Sequence, residues 1–157
     1  VDAGSVHPWV HERVSYDVDS GVLWILDEES ATGHDAHDTK TAPVLVDSLD
    51  RHGELDLDLW CDSAAKGMIL YYQQHGLNAR KAYKQGTNSP TERVRWLNRC
   101  NRIVIDTESC PLAAEQFPAL EYVITPSCDI TETLPKVDDD AIDAVGYAAS
   151  IWIRQGL

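Results

Sequence analysis

Asp2, Asp62, Asp140 and Asp143 stand where this chain leaves a strand or enters a helix. Asp2 lies in Val1-Asp2-Ala3-Gly4, Asp62 in Leu59-Trp60-Cys61-Asp62-Ser63, and the other two in Asp139-Asp140-Ala141-Ile142-Asp143-Ala144-Val145. Strand ends meet along one rim of an α/β sheet, so carboxylates remote in sequence can converge there. Convergent carboxylates without a competing cation attract a hard divalent ion, because Mg²⁺ takes oxygen ligands and keeps its waters. Two such ions can activate a water and stabilise the leaving oxygen in phosphodiester cleavage. The pattern also has a plainer explanation. With 26 Asp and Glu in 157 residues, acidic residues fall at strand and helix ends by chance, and Asp is favoured at helix N-termini anyway.

The elements that must position these residues can be read from periodicity and punctuation. Val1–Gly4 reads as the end of a first strand. Trp9–Val18 and Val22–Asp27 are β-rich runs joined by Asp19-Ser20-Gly21, a hairpin signal. Glu28–Asp38 reads as loop; its Gly33-His34-Asp35-Ala36-His37-Asp38 suggests a solvated loop more than a zinc site, because ligands this close in sequence rarely surround one ion. Thr41–His52 has helical spacing with Gly53 as a stop. Leu57–Cys61, in the alternating run from Leu55, is a strand ending at Asp62, and Ser63 is placed to cap a helix over Ala64–His75. Asn78–Lys84 reads as strand. Ser89-Pro90 opens a helix bearing Arg93, Arg95 and Arg99. Arg102–Asp106 reads as a short strand, Cys110–Tyr122 as a helix, Tyr122–Thr125 as a last strand, Pro126–Lys136 as a loop, and Asp138–Ile153 as the final helix. A hairpin followed by strands alternating with helices gives a mixed α/β sheet with helices on its faces.

At 157 residues, 43% hydrophobic with five Trp and six Tyr, the chain is expected to form one packed domain over residues 1–157. No apolar run approaches the ~20 residues of a membrane span, and no signal peptide is evident. Cys61, Cys100, Cys110 and Cys128 show neither CxxC pairs nor zinc spacing and are expected to be reduced. A net charge of −13 weighs against nucleic-acid binding, which phosphate neutralisation drives. Its distribution softens that objection. Arg80, Lys81, Lys84, Arg93, Arg95, Arg99 and Arg102 are seven of the thirteen basic residues, with Glu92 the one acid among them. The first six are candidate DNA contacts, and a solvated helix face accounts for the cluster equally well.

Three segments carry a resemblance in order and spacing over nearly the whole chain: Val1-Asp2-Ala3-Gly4-Ser5-Val6-His7-Pro8, Trp60-Cys61-Asp62-Ser63-Ala64, and Asp139-Asp140-Ala141-Ile142-Asp143-Ala144-Val145-Gly146-Tyr147-Ala148. Together they resemble the C-terminal nuclease domain of tailed-bacteriophage large terminase subunits, which package DNA and cut it. The resemblance implies a ribonuclease H-like fold and an endonuclease that cleaves concatemeric double-stranded viral DNA with two Mg²⁺ or Mn²⁺ ions. It further implies a host-cell cytoplasmic location, partners in a small terminase subunit and a portal, and a homo-oligomer on the capsid. No Walker A loop is present, so the expected ATPase motor belongs to an upstream segment. In this reading Asp2 bridges the ions while Asp62 and Asp143 each complete one, Asp143 being drawn toward the sheet beside Ile142. Relatives commonly carry His where Asp140 stands, leaving Asp140 as a further ligand, a water-positioning group or a cap; Asp139 is the better placed cap. Asp106 and His7 are set aside, since a helix start explains the first and a structural or solvent-facing role the second. Two other readings compete: a resolvase- or transposase-type nuclease, and a non-catalytic acidic protein that mimics DNA or binds a partner.

Overall fold

The computed structural model describes residues 1, 8–84, 89–120 and 139–157. The expected strand over Val1–Gly4 beyond its first residue, Asp2, His7, Cys128 and the segment 121–138 with its expected strand and loop lie outside the described residues.

The hairpin forms as its punctuation dictates. Strands β1 (Trp9–Asp17) and β2 (Val22–Ala31) pair antiparallel around a turn closed by the Gly21 N–H donating to the Asp17 carbonyl at 2.8 Å. Gly21 has φ +65°, a left-handed conformation that glycine takes without Cβ strain. β2 runs on to Ala31, so the first part of the expected loop is strand. Its remainder is a 3₁₀ turn over Gly33–Ala36, and His37 then caps helix α1 (Asp38–His52) by accepting the Thr39 N–H on Nδ1. Of the His-Asp cluster, His37 thus serves helix entry.

Strand β3 (Leu59–Cys61) is shorter than the alternating run, and Leu57 is 57% exposed. The alternation of Leu with Asp carries no core on either face until Leu59. Helix α2 (Lys66–Gln74) starts two residues later than expected and receives no cap from Ser63. Strand β4 (Ala79–Lys81) pairs parallel with β3. Helix α3 (Ser89–Leu97), strand β5 (Arg102–Ile105), helix α4 (Pro111–Ala119) and helix α5 (Asp140–Gln155) complete the order. β5 pairs parallel with β2, so antiparallel and parallel strands mix as expected. Val1 extends the β3 side: its N–H donates to the Trp60 carbonyl at 2.6 Å and its carbonyl accepts the Asp62 N–H at 3.0 Å.

Alternation along β1 divides the core. Trp9 faces a cluster with Leu45 and Leu49 of α1 and Ile69 and Tyr72 of α2, while Val10 faces Trp96, Ile142, Val145 and Ala149 of α3 and α5. Successive strand residues point to opposite faces, so helices cover both sides of the hairpin. No described helix is long and apolar enough to cross a membrane.

Candidate active site

Asp62 ends β3, and its Oδ1 accepts the Ala64 N–H at 3.0 Å, an Asx turn that turns the chain toward α2. The same oxygen takes the Lys84 ammonium at 2.5 Å. Burial pushes the Asp62 carboxyl up, but the Ala64 N–H, the Lys84 ammonium and the Arg93 charge outweigh it and hold it below the usual carboxylate range. Asp62 is therefore ionised at neutral pH.

Asp143 sits in the first turn of α5, where its N–H donates to the Asp139 carbonyl at 2.8 Å. Its carboxylate accepts a short hydrogen bond from the Arg93 guanidinium. Arg93 is almost wholly buried, whereas the Asp143 side chain keeps 26% of its surface. The Arg93 guanidinium lies 4.9 Å from the centroid of the Tyr147 ring, and the Lys84 ammonium 5.3 Å from the same centroid. Tyr147, one turn beyond Asp143 on the same face, thus joins the two ion pairs. The strand-end and helix-start carboxylates share one neighbourhood, linked by two cations and a ring.

Several expectations are corrected. Both described carboxylates have cations beside them, so the assumption of no competing cation fails. Asp140, not Asp143, is the more buried, at 5% exposure. It shares its side of the helix with the buried Ala144, whereas the half-buried Asp143 is paired with Arg93. Asp139 occupies the N-cap position without a side-chain cap bond; its pKa is raised by burial and then by the Asp143 and Asp140 charges. Arg93 points inward to Asp143 instead of decorating an outer helix face. Arg80 is tied to Asp58 at 2.6 Å, while Arg95 and Arg99 line a shallow depression with Glu92. Asp106 accepts the N–H groups of Glu108 and Ser109, the turn into α4 that explained it without a ligand role.

Sequence reading did not find the Lys84–Asp62 and Arg93–Asp143 pairs or the part played by Gly146. A Cβ at Gly146 would overlap the Arg93 side chain, so glycine there makes the room that lets Arg93 reach Asp143. The four-residue step from Asp143 to Tyr147 was the one signal available.

No family model matches the chain. Over 83 residues it is 31% identical to the terminase large subunit of Bacillus phage SPP1, a stretch that covers 53% of this chain and 20% of that protein. The chain spans about a fifth of that curated relative's length. The nuclease domain of the SPP1 large terminase, solved with bound Mn, superposes with a TM-score of 0.80 at 25% identity, covering 96% of this chain and 82% of that domain. The fold is that of a large-terminase nuclease domain. It is ribonuclease H-like, a mixed sheet flanked by helices, and the sequence resemblance to terminase nucleases stands. The large terminase of a thermophilic bacteriophage superposes with a TM-score of 0.67 at 15% identity, covering 96% of this chain and 38% of that one, which supports the fold alone.

The donor set suits a hard cation in type, since Asp62 and Asp143 offer carboxylate oxygens. Among the described residues no three potential ligands come together. Asp2, expected as a ligand from the sequence, lies outside the described residues.

Proposed function

We propose that this chain is a divalent-metal-dependent endonuclease that cleaves double-stranded DNA during viral genome packaging. The observation that carries the reading is the meeting of Asp62 and Asp143 around Tyr147, on a fold whose SPP1 counterpart was solved with Mn. Asp2, Asp62 and Asp143 are the proposed ligands of two Mg²⁺ or Mn²⁺ ions, and Asp140 is a further ligand or a group that positions water. Such ions supply an activated water and stabilise the leaving oxygen.

The chain's own residues do the rest. Lys84 holds Asp62 ionised and oriented, Arg93 orients Asp143, and both cations would supply countercharge to a phosphate bound beside these carboxylates. Tyr147 fixes the two cations through its ring face. Buried packing of Arg93 limits its rotamers, so the Asp143 carboxylate has one dominant orientation. In the full-length protein the proposed partners are a small terminase subunit, a portal and further copies of the chain on the capsid, in the host cytoplasm.

The test is nicking of supercoiled plasmid by the purified chain in Mg²⁺ or Mn²⁺ against EDTA. Metal-dependent nicking supports the reading. Nicking that persists in EDTA, or none in either metal, overturns it.

A further inference from the structure

Asp143, Tyr147, Ser150 and Arg154 follow one another at helical spacing and form a stripe along α5. Asp143 and Tyr147 belong to the candidate active site. Ser150 and Arg154 continue into a cleft of about 570 Å³ that Ser63, Lys81, Tyr83 and Lys84 also line. Among the described residues its lining contains three cations and no acidic side chain, in a chain of net charge −13. The acidic balance of the chain as a whole repels a polyanion, so this local inversion of sign is selective.

Three details suit the cleft to a phosphate backbone. Neither Lys81 nor Arg154 has a carboxylate partner among the described residues. The Arg154 guanidinium lies 5.4 Å from the centroid of the exposed Tyr83 ring, which holds its fork without consuming its donors. Ser150 is 2% exposed, and its buried hydroxyl has no hydrogen-bond partner among the described residues. A buried hydroxyl left unmet is costly, and a phosphate oxygen or its water would satisfy it.

We propose that this cleft binds the DNA phosphate backbone, carrying one strand away from the candidate active site along the Tyr147–Arg154 face of α5. The identity of the polyanion rests on the nuclease reading above. From Asp143 to Arg154 the helix rises about 16 Å, the rise of about five nucleotides of a strand. Arg154, Tyr83 and Ser150 thereby join Lys81 and Lys84 as contacts, while Arg95 and Arg99 fall outside the path.

The experiment measures duplex DNA binding by fluorescence anisotropy in EDTA across a salt series, which reads the cleft without cleavage. Each lost phosphate contact lowers the slope of log affinity against log salt by roughly one. Lys81→Ala/Arg154→Ala should lower it by about two, Lys81→Arg/Arg154→Lys should restore it, and Arg95→Ala/Arg99→Ala should leave it unchanged. All substituted side chains are exposed, so an unchanged melting temperature certifies folding. An unchanged slope in Lys81→Ala/Arg154→Ala, a loss confined to Arg95→Ala/Arg99→Ala, or no binding by the unsubstituted chain overturns the inference. Failure of the nuclease reading shows separately, as absence of metal-dependent nicking by the unsubstituted chain.

Discussion

Gly146→Ala sets a local rule against the geometry of the site. In an exposed helix interior, alanine in place of glycine stabilises by about 1 kcal/mol. Here the added methyl would overlap the Arg93 Cδ and lie 2.8 Å from its Nε and 3.1 Å from its Cγ. Arg93 is buried and hydrogen-bonded to Asp143, so it has little room to move aside. Overpacking costs about 1–3 kcal/mol, and displacing the guanidinium forfeits a charged hydrogen bond worth about 1.5–3 kcal/mol. Asp143 keeps a quarter of its surface in water, which recovers part of the second loss. The net is a destabilisation of about 2 kcal/mol, a fall in Tm on the order of 5 °C for a domain of this size. Urea denaturation of Gly146→Ala, Arg93→Ala and the double variant forms a cycle. Once Arg93 is truncated, the alanine at 146 should cost nothing or stabilise. If Gly146→Ala alone stabilises by about 1 kcal/mol, the close approach of Arg93 to the helix is wrong.

The other expectations concern charge. Asp62→Ala and Asp143→Asn should each abolish metal-dependent nicking while the protein stays folded, as read by plasmid nicking beside circular dichroism; full activity in either would remove that residue from the site. Asp140→His should retain measurable nicking, since a neutral imidazole can still ligate or position water, and complete loss would make the buried Asp140 carboxylate indispensable. Burial, with the Glu28 carboxylate opposite it in the hairpin register, pushes the Glu12 carboxyl up to about 10. Its folded pKa lies above its unfolded one, so stability is fullest below about pH 4.5 and declines as pH rises toward 10. Glu12→Gln should therefore stabilise at neutral pH by a few kcal/mol and flatten that decline; a steeper decline in urea titrations would contradict the assignment.

The hairpin, the alternation of later strands with helices, and the last helix were legible because period and punctuation agree there. Asp19-Ser20-Gly21 sits between two β-rich runs, and Gly53 ends a clear helical pattern. The run Leu55–Cys61 misled over its first half. Alternation shows that a segment could be half-buried, but only tertiary contacts decide whether a core is there to meet it. Of the acidic positions read at element ends, Asp62 and Asp143 share a neighbourhood. Their cation partners were not legible. Lys84 lies 22 residues from Asp62 and Arg93 lies 50 from Asp143, and pairing at that range follows from the fold and not from spacing. The burial order of Asp140 and Asp143 depends on the rotation of α5 about its axis, and the tie from the Ala141 N–H to Gln116 of α4 helps fix that rotation.

Crystals of the chain grown or soaked in Mn²⁺ test the central claim most directly, through anomalous scattering at the manganese edge. The account requires manganese within coordination distance of the carboxylate oxygens of both Asp62 and Asp143, with Asp2 as a shared ligand. Manganese bound elsewhere, with the Lys84–Asp62 and Arg93–Asp143 pairs intact, would contradict it.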